Sequence, residues 1–276
     1  MRTLVDFVVI GAMKAGSTSL FRILRQHPET RMCTVKEPGF FTLHSQFKQG
    51  SWELGPDRYD ALFPPGPGIR GEASTSYTKY PISRGIAERM YAINPHLRLI
   101  YLMRHPLARS ISHYLHMVRM GREVEDISKA LAKAESNYVL FSRYHLQLQA
   151  FLEYFPVSQI LPLVSEEMWQ DPKAEIRKVL GFLGLDWPNS PFNCDVRANS
   201  TQTAAENLPI SALTNQQLLL RELARSHPRG MSALEIGEAL GLSREHRLVL
   251  QDAFCEDLEA LFQFIGRRVD VWHFES

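Results

Sequence analysis

Asp6-Phe7-Val8-Val9-Ile10-Gly11-Ala12-Met13-Lys14-Ala15-Gly16-Ser17-Thr18-Ser19 is the stretch on which the reading of this chain turns. Asp6 to Ile10, β-branched and apolar, predicts a short buried strand bounded by Gly11. Ser17 to Gln26 predicts a helix: Ser17, Thr18 or Ser19 can cap its start, and Leu20, Ile23 and Leu24 form one apolar face. Strand, glycine-containing loop and helix start together make a geometry that holds phosphate. The first N–H groups of the helix point outward, and its dipole favours an anion there. Gly16 would let the backbone approach such a ligand closely. Lys14 adds a positive charge, and the three hydroxyls add donors. A tight strand–helix turn without a ligand would read the same way on this loop alone.

Outward from the loop, strands alternate with helices. Strands are expected at Ile69 to Glu72, Leu97 to Met103 and Gln159 to Val164, the last two being continuous apolar runs of the kind buried in a parallel sheet. Helices are expected at Pro81 to Ile93 with proline in the first turn, Pro106 to Val118, Ser142 to Tyr154 and Pro172 to Leu183. The stretch from Arg31 to Pro67 reads as irregular. The expected fold class is α/β, a three-layer sandwich with a central, mainly parallel sheet and P-loop-like topology. One domain over 1–276 is expected, carrying a polar helical insertion at about 207–244. Within it, Ser232 to Ser243 (SALEIGEALGLS) faintly resembles a helix-turn-helix, and reads instead as plain helix.

Composition narrows the function. The chain has 276 residues, 45% hydrophobic and 22% charged, with a formal net charge of +1. That balance argues against a dedicated nucleic-acid binder, which would carry a basic excess. The apolar run Phe7 to Ala12 is far shorter than the ~20 residues of a membrane span. With Asp6 and Lys14 flanking it, it is also too short for a secretory signal. Cys33, Cys194 and Cys255 are odd in number and share no close spacing, so neither a disulfide framework nor a metal knuckle is expected. Buried, reduced thiols and a cytoplasmic location are the expectation.

The loop is not that of a nucleotide triphosphatase, in which lysine directly precedes the Ser/Thr whose hydroxyl meets magnesium. Here Lys14 precedes Gly16, and the strand ending at Met103 runs into Arg104 rather than an aspartate. No metal is expected.

Four stretches, in order and at fitting spacing, resemble the sulfotransferases that use 3′-phosphoadenosine 5′-phosphosulfate (PAPS), in the heparan-sulfate-type and bacterial branch. Phe7 to Leu24 (FVVIGAMKAGSTSLFRIL) resembles their 5′-phosphosulfate loop. Lys36-Glu37-Pro38-Gly39-Phe40-Phe41 is similar to their K-E-x-x-F-F segment. Leu99 to Tyr114 (LIYLMRHPLARSISHY) is similar to the 3′-phosphate segment. Ser142 to Pro172 resembles the helix–strand–turn that follows. The likeness covers roughly residues 6–190 and returns near 252–272.

The resemblance implies PAPS as co-substrate and assigns residues to it. Lys14, Ala15, Gly16, Ser17, Thr18 and Ser19 would hold the 5′-phosphate and sulfate. Lys14 would also stabilise charge on the leaving oxygen. Glu37 would be the general base that takes the acceptor's proton; His44, His105 and His113 stay open as rivals, because another branch uses histidine. Arg104 and Ser112 would bind the 3′-phosphate, joined by Arg197 from the stretch Asp195 to Thr203. Two departures stand out: Ala73 occupies a position where glycosaminoglycan-modifying relatives carry lysine, and Arg197 is the only basic residue of its stretch. A small, lipid or carbohydrate acceptor with a hydroxyl or amine is implied, a highly anionic polysaccharide less so. A small-molecule kinase or nucleotide hydrolase, and a catalytically silent nucleotide-binding module, are the competing readings.

Overall fold

The structure is a computed structural model, and it describes residues 4–197 and 232–273. The described residues fall into two compact units, one within Met1–Arg104 and Tyr144–Arg197, the other within His105–Arg143 and Ala198–Ser276.

The first unit is built on a five-stranded parallel sheet. Its strands are β1 (Phe7–Gly11), β2 (Thr30–Met32), β3 (Ile69–Ala73), β4 (Arg98–Met103) and β5 (Ile160–Val164), in the spatial order β2-β3-β1-β4-β5. Val8 pairs with Glu72 on one side and Leu99 on the other, and the register slips between Val9 and Gly11. Every residue of β1 is buried, as a central parallel strand requires. After β1 the chain runs first to the edge strand β2, returns to β3 beside β1, then crosses to β4 on the other side. In open parallel sheets a ligand crevice forms at the carboxyl ends of strands where the order reverses. Here that point is the end of β1.

Helix α1 (Ser17–Leu24) follows the loop and buries Leu20, Phe21, Ile23 and Leu24 while Arg22 faces solvent. Thr30 Oγ1 donates to the carbonyls of Leu24 and His27 just past the helix end, and His27 Nε2 lies 2.9 Å from the Asp186 carbonyl. Further along come α2 (Pro56–Asp60), α3 (Ile86–Ile93), α7 (Tyr144–Leu152), α8 (Ser165–Gln170) and α9 (Pro172–Leu183). The expected α/β class with a central parallel sheet is the one observed.

Two expectations in this unit are corrected. Pro81 does not open a helix. The Gln147 amide grips both the N–H and the carbonyl of Tyr80, and Gly85 takes a left-handed conformation (φ 67°), so α3 starts only at Ile86. The region read as irregular contains β2, a 3₁₀ turn at Trp52–Leu54 and α2. Each is too short to leave a periodic signature.

In the second unit, α4 (Pro106–Arg119), α5 (Ile127–Ala132) and α6 (Asn137–Leu140) pack with α10 (Ala233–Ala239) and α11 (Arg244–Ile265). Arg109 is fully buried, its Nε donating to Ser142 Oγ and its terminal nitrogen to the Tyr138 carbonyl. A Cβ on Gly237 would sit 2.9 Å from Ile111 Cδ1, so glycine lets α10 lie close to α4. Ser232 to Ser243 is one capped helix, α10, and then the Ser243 cap of α11. Of the expected insertion at 207–244, residues 207–231 lie outside the described residues. Among the described residues no helix is long and apolar enough to cross a membrane.

Candidate active site

The loop from Ala12 to Gly16 leaves the carboxyl end of β1. The Ala12 N–H donates to the Leu102 carbonyl of β4 at 2.6 Å, which ties the loop to its neighbouring strand. Lys14 takes φ 72° and Gly16 φ 103°. Gly16 is the N-cap of α1 and supplies no capping side chain; within the first turn the Ser19 N–H donates to the Gly16 carbonyl at 2.9 Å. The backbone conformation gives glycine a further role at this position. A Cβ at Gly16 would find its nearest atoms at ordinary contact distance, 3.5–3.7 Å, from Leu102, Ser165 and Trp169. The left-handed backbone therefore demands glycine. Ser17 and Ser19 are buried, while Lys14 and Thr18 are half-buried.

Glu37 lies against the carboxyl end of β3, the strand beside β1. Its N–H donates to the Ala73 carbonyl at 3.0 Å. Its carboxylate accepts from the Thr75 N–H at 2.6 Å and the Thr75 hydroxyl at 3.2 Å, and it pairs with Lys36. Glu37 takes φ 62°. Among the described residues, Lys14 and Glu37 are the two non-glycine residues with positive φ. A left-handed conformation costs such a residue roughly 1–2 kcal/mol, and backbone strain of this kind clusters at functional sites.

Behind Glu37 lies a carboxylate that the sequence reading passed over. Glu72, fully buried on β3, accepts from Tyr77 Oη at 2.6 Å, Ser74 Oγ at 2.7 Å and Tyr59 Oη at 3.1 Å. Desolvation pushes its carboxyl up to about 7 against those three hydrogen bonds, with a smaller push from the Glu37 charge. A lone acid in GEASTSY carries no periodic or spacing signal, so only the fold exposes it.

Arg104 follows β4 directly. The Tyr144 hydroxyl brackets its backbone, accepting from the N–H at 3.2 Å and donating to the carbonyl at 2.6 Å. Burial pulls its guanidinium pKa down, and Glu166 and Tyr144 work against that. Lys14, Glu37 and Arg104 thus follow, or lie against, the carboxyl ends of β1, β3 and β4, three adjacent strands of one sheet.

A family model described as "Sulfotransferase domain" matches residues 4–232. The chain belongs to the sulfotransferase domain family. A curated relative, heparan sulfate glucosamine 3-O-sulfotransferase 3B1 of Mus musculus, is 28% identical over 193 residues, covering 67% of this chain and 47% of the relative. The bifunctional heparan sulfate N-deacetylase/N-sulfotransferase 1 of Caenorhabditis briggsae is 26% identical over 285 residues, covering 96% of this chain and 30% of the relative. The chain therefore spans half or less of the length of these relatives. Among solved structures, the sulfotransferase from Alicyclobacillus acidocaldarius aligns over 99% of both chains with a TM-score of 0.68 and 26% identity.

The other candidates in this sulfotransferase-family chain have the following surroundings. Arg197 is exposed, stands 5.4 Å from the centroid of the Trp169 ring and pairs with Asp195 at 3.2 Å. The rest of its stretch, 198–203, lies outside the described residues. Ser112 is buried on α4 in the second unit. His105 caps α4, with Nδ1 facing the Ala108 N–H and Nε2 3.1 Å from the His273 carbonyl. His113 is buried between the Tyr138 and Phe141 rings. His44 is exposed. Ala73, where lysine was expected of glycosaminoglycan-modifying relatives, is fully buried.

Proposed function

We propose that this chain transfers a sulfuryl group from PAPS to a hydroxyl or amine of a small-molecule, lipid or carbohydrate acceptor, with Lys14 and Glu37 as its catalytic residues. One observation carries the reading: among the described residues, the two non-glycine residues held in left-handed backbone are Lys14 and Glu37, at the carboxyl ends of neighbouring strands. Membership of the family supports the reaction class.

PAPS supplies an activated sulfuryl group whose departure leaves negative charge on the oxygen of the 5′-phosphate. The residues fit such a polyanionic nucleotide: a helix start without a capping side chain, the Lys14 ammonium and the Arg104 guanidinium beside the next strand. In the proposed step Glu37 takes the proton of the acceptor hydroxyl as the acceptor oxygen bonds to sulfur. The bridging S–O bond breaks, its electron pair goes to the phosphate, and Lys14 with the first-turn N–H groups of α1 stabilises that charge. Thr75 and Lys36 hold the Glu37 carboxylate in place. Arg104, with Ser112 and Arg197, is assigned to the 3′-phosphate.

The missing lysine at Ala73 and the single arginine at 197 favour an acceptor less anionic than a sulfated polysaccharide. The whole chain acting as one catalytic domain with an insertion at 207–244 belongs to this proposal. So does a cytoplasmic location, which three free cysteines support; against the expectation of buried thiols, only Cys33 is buried, with Cys194 half-buried and Cys255 exposed on a helix face.

The test is transfer of radiolabel from PAPS by the purified protein to a panel of phenols, fatty alcohols, neutral sugars and amino sugars. Labelled product from PAPS but none from γ-labelled ATP, unchanged by EDTA, is expected. The lysine precedes the glycine here, so the loop lacks the magnesium-binding hydroxyl order of a kinase. Label transferred from ATP with a magnesium requirement would replace this reading with the kinase one.

A further inference from the structure

Three consecutive residues of the segment that carries Glu37 are each fastened by a different side chain. Gly39 donates its N–H to Ser74 Oγ at 3.1 Å. The Phe40 ring stacks on Tyr59 with centroids 4.1 Å apart and planes 5° from parallel. Phe41 donates its N–H to Tyr77 Oη at 3.4 Å, and its ring meets Tyr77 edge-on at 5.7 Å. Ser74, Tyr59 and Tyr77 come from three separate places: the residue after β3, α2 and the 3₁₀ turn at Thr75–Thr78. All three donate to one group, the Glu72 carboxylate.

We propose that Glu72 is a positioning residue for catalysis, holding the 37–41 segment through Ser74, Tyr59 and Tyr77 so that the Glu37 carboxylate stays at the edge of the sheet. This inference rests on the reading of Glu37 as the base.

Packing alone does not call for a carboxylate here. A neutral residue of similar size would avoid the cost of desolvating a charge. What a carboxylate alone provides is acceptor capacity on both oxygens for three converging hydroxyls. Glutamine keeps one acceptor oxygen, enough for Tyr59 and Tyr77, which share Oε1. It turns an amide N–H towards Ser74, whose hydroxyl proton now goes to Oε2. Ser74 then loses its acceptor, and the link through it to Gly39 loosens. The geometric demand is severe, because a displacement of about 1 Å at a reacting group can cost on the order of 100-fold in rate.

The test compares Glu37→Gln, Glu72→Gln, Tyr77→Phe and the double variants of each with Glu37→Gln. Each is assayed for kcat with radiolabelled PAPS and the hydroxyl acceptor that the panel selects. Binding of the spent donor, 3′-phosphoadenosine 5′-phosphate, is measured by calorimetry. Glu72→Gln should lose about 10- to 100-fold in kcat, with spent-donor affinity within about twofold of wild type. Tyr77→Phe should lose less, in the same direction. Because Glu72 acts through Glu37, each double variant should be no slower than Glu37→Gln alone.

Losses that multiply in the double variants would show a structural role independent of the base, and overturn the proposal. So would full kcat in both Glu72→Gln and Tyr77→Phe. If Glu72→Gln fails to fold, the Tyr77→Phe cycle decides by the same criterion. Full activity in Glu37→Gln would remove the base reading and this inference with it. A slow Glu37→Gln beside fast Glu72→Gln and Tyr77→Phe would remove this inference alone.

Discussion

The Thr75 N–H donates to the Glu37 carboxylate at 2.6 Å, and Glu37 returns the contact two residues earlier, its own N–H bonded to the Ala73 carbonyl at 3.0 Å. The loop and the strand end are thus laced together on both sides of the carboxylate. A carboxylate held this way is already ordered for the base role proposed for it.

Lys14→Gly should abolish transfer while leaving the loop intact. Glycine adopts the left-handed backbone that Lys14 takes at φ 72°, so the variant removes the ammonium without adding strain. Both kcat and kcat/KM should fall together, as for an interaction made in the transition state. Steady-state kinetics at saturating PAPS check it, and a near-normal kcat would take Lys14 out of the leaving-group role.

Arg104→Ala should chiefly weaken the donor. Charge-assisted hydrogen bonds are worth about 1.5–3 kcal/mol, so the spent donor should bind the wild type at least tenfold more tightly than 5′-AMP. That advantage should vanish in the variant. Calorimetry with both nucleotides gives the answer. Equal wild-type affinities would overturn the assignment of Arg104 to the 3′-phosphate.

Glu72 should make stability fall as pH rises through the mildly acidic range. Its folded carboxyl lies near 7, above the ordinary 4.5, because burial outweighs its hydrogen bonds. The folded state therefore keeps a proton that the unfolded chain releases. The contribution is fully present below about 4.5 and is lost as pH rises to about 7, on the order of 3 kcal/mol in all. Tyr59, Tyr77, Cys33 and Glu37 face the same group. Tyr59, Tyr77 and Cys33 have their own values pushed upward by burial, Cys33 to about 12, and so stay neutral across that window. Urea unfolding from pH 4.5 to 8 should show this slope in the wild type, reduced in Glu72→Gln. Parallel curves for the two proteins would contradict it.

Gly71→Ala should destabilise the first unit without touching the site chemistry. A Cβ at Gly71 would sit 2.0 Å from Cζ of Phe7, its partner on β1. Overpacking of this kind costs about 1–3 kcal/mol. Thermal melting should show a clear drop in Tm, and a melting curve matching the wild type would mean that Phe7 can move aside.

The sequence alone determined the elements whose signals are local. The helix α9 runs from Pro172 to Leu183 as expected, because Asp171 caps it, Pro172 opens it and Gly184 closes it in left-handed conformation, all chemistry within a few residues. The strand–loop–helix at Phe7 to Leu24 was equally legible, and its motif singled out Lys14, as the K-E-x-x-F-F segment did Glu37, as candidates. Only the tertiary structure decided what depends on residues distant in the chain. Gln147 reaches 67 residues back to hold Tyr80 and delay α3. The edge strand β2 exists because Ile69 to Gly71 lie beside it, its three residues being too few to show a period. Glu72 gathers Tyr59, Ser74 and Tyr77 under the Glu37 segment. A buried carboxylate is recognisable only by the donors brought to it, and these converge once β3, α2 and the turn after β3 have packed.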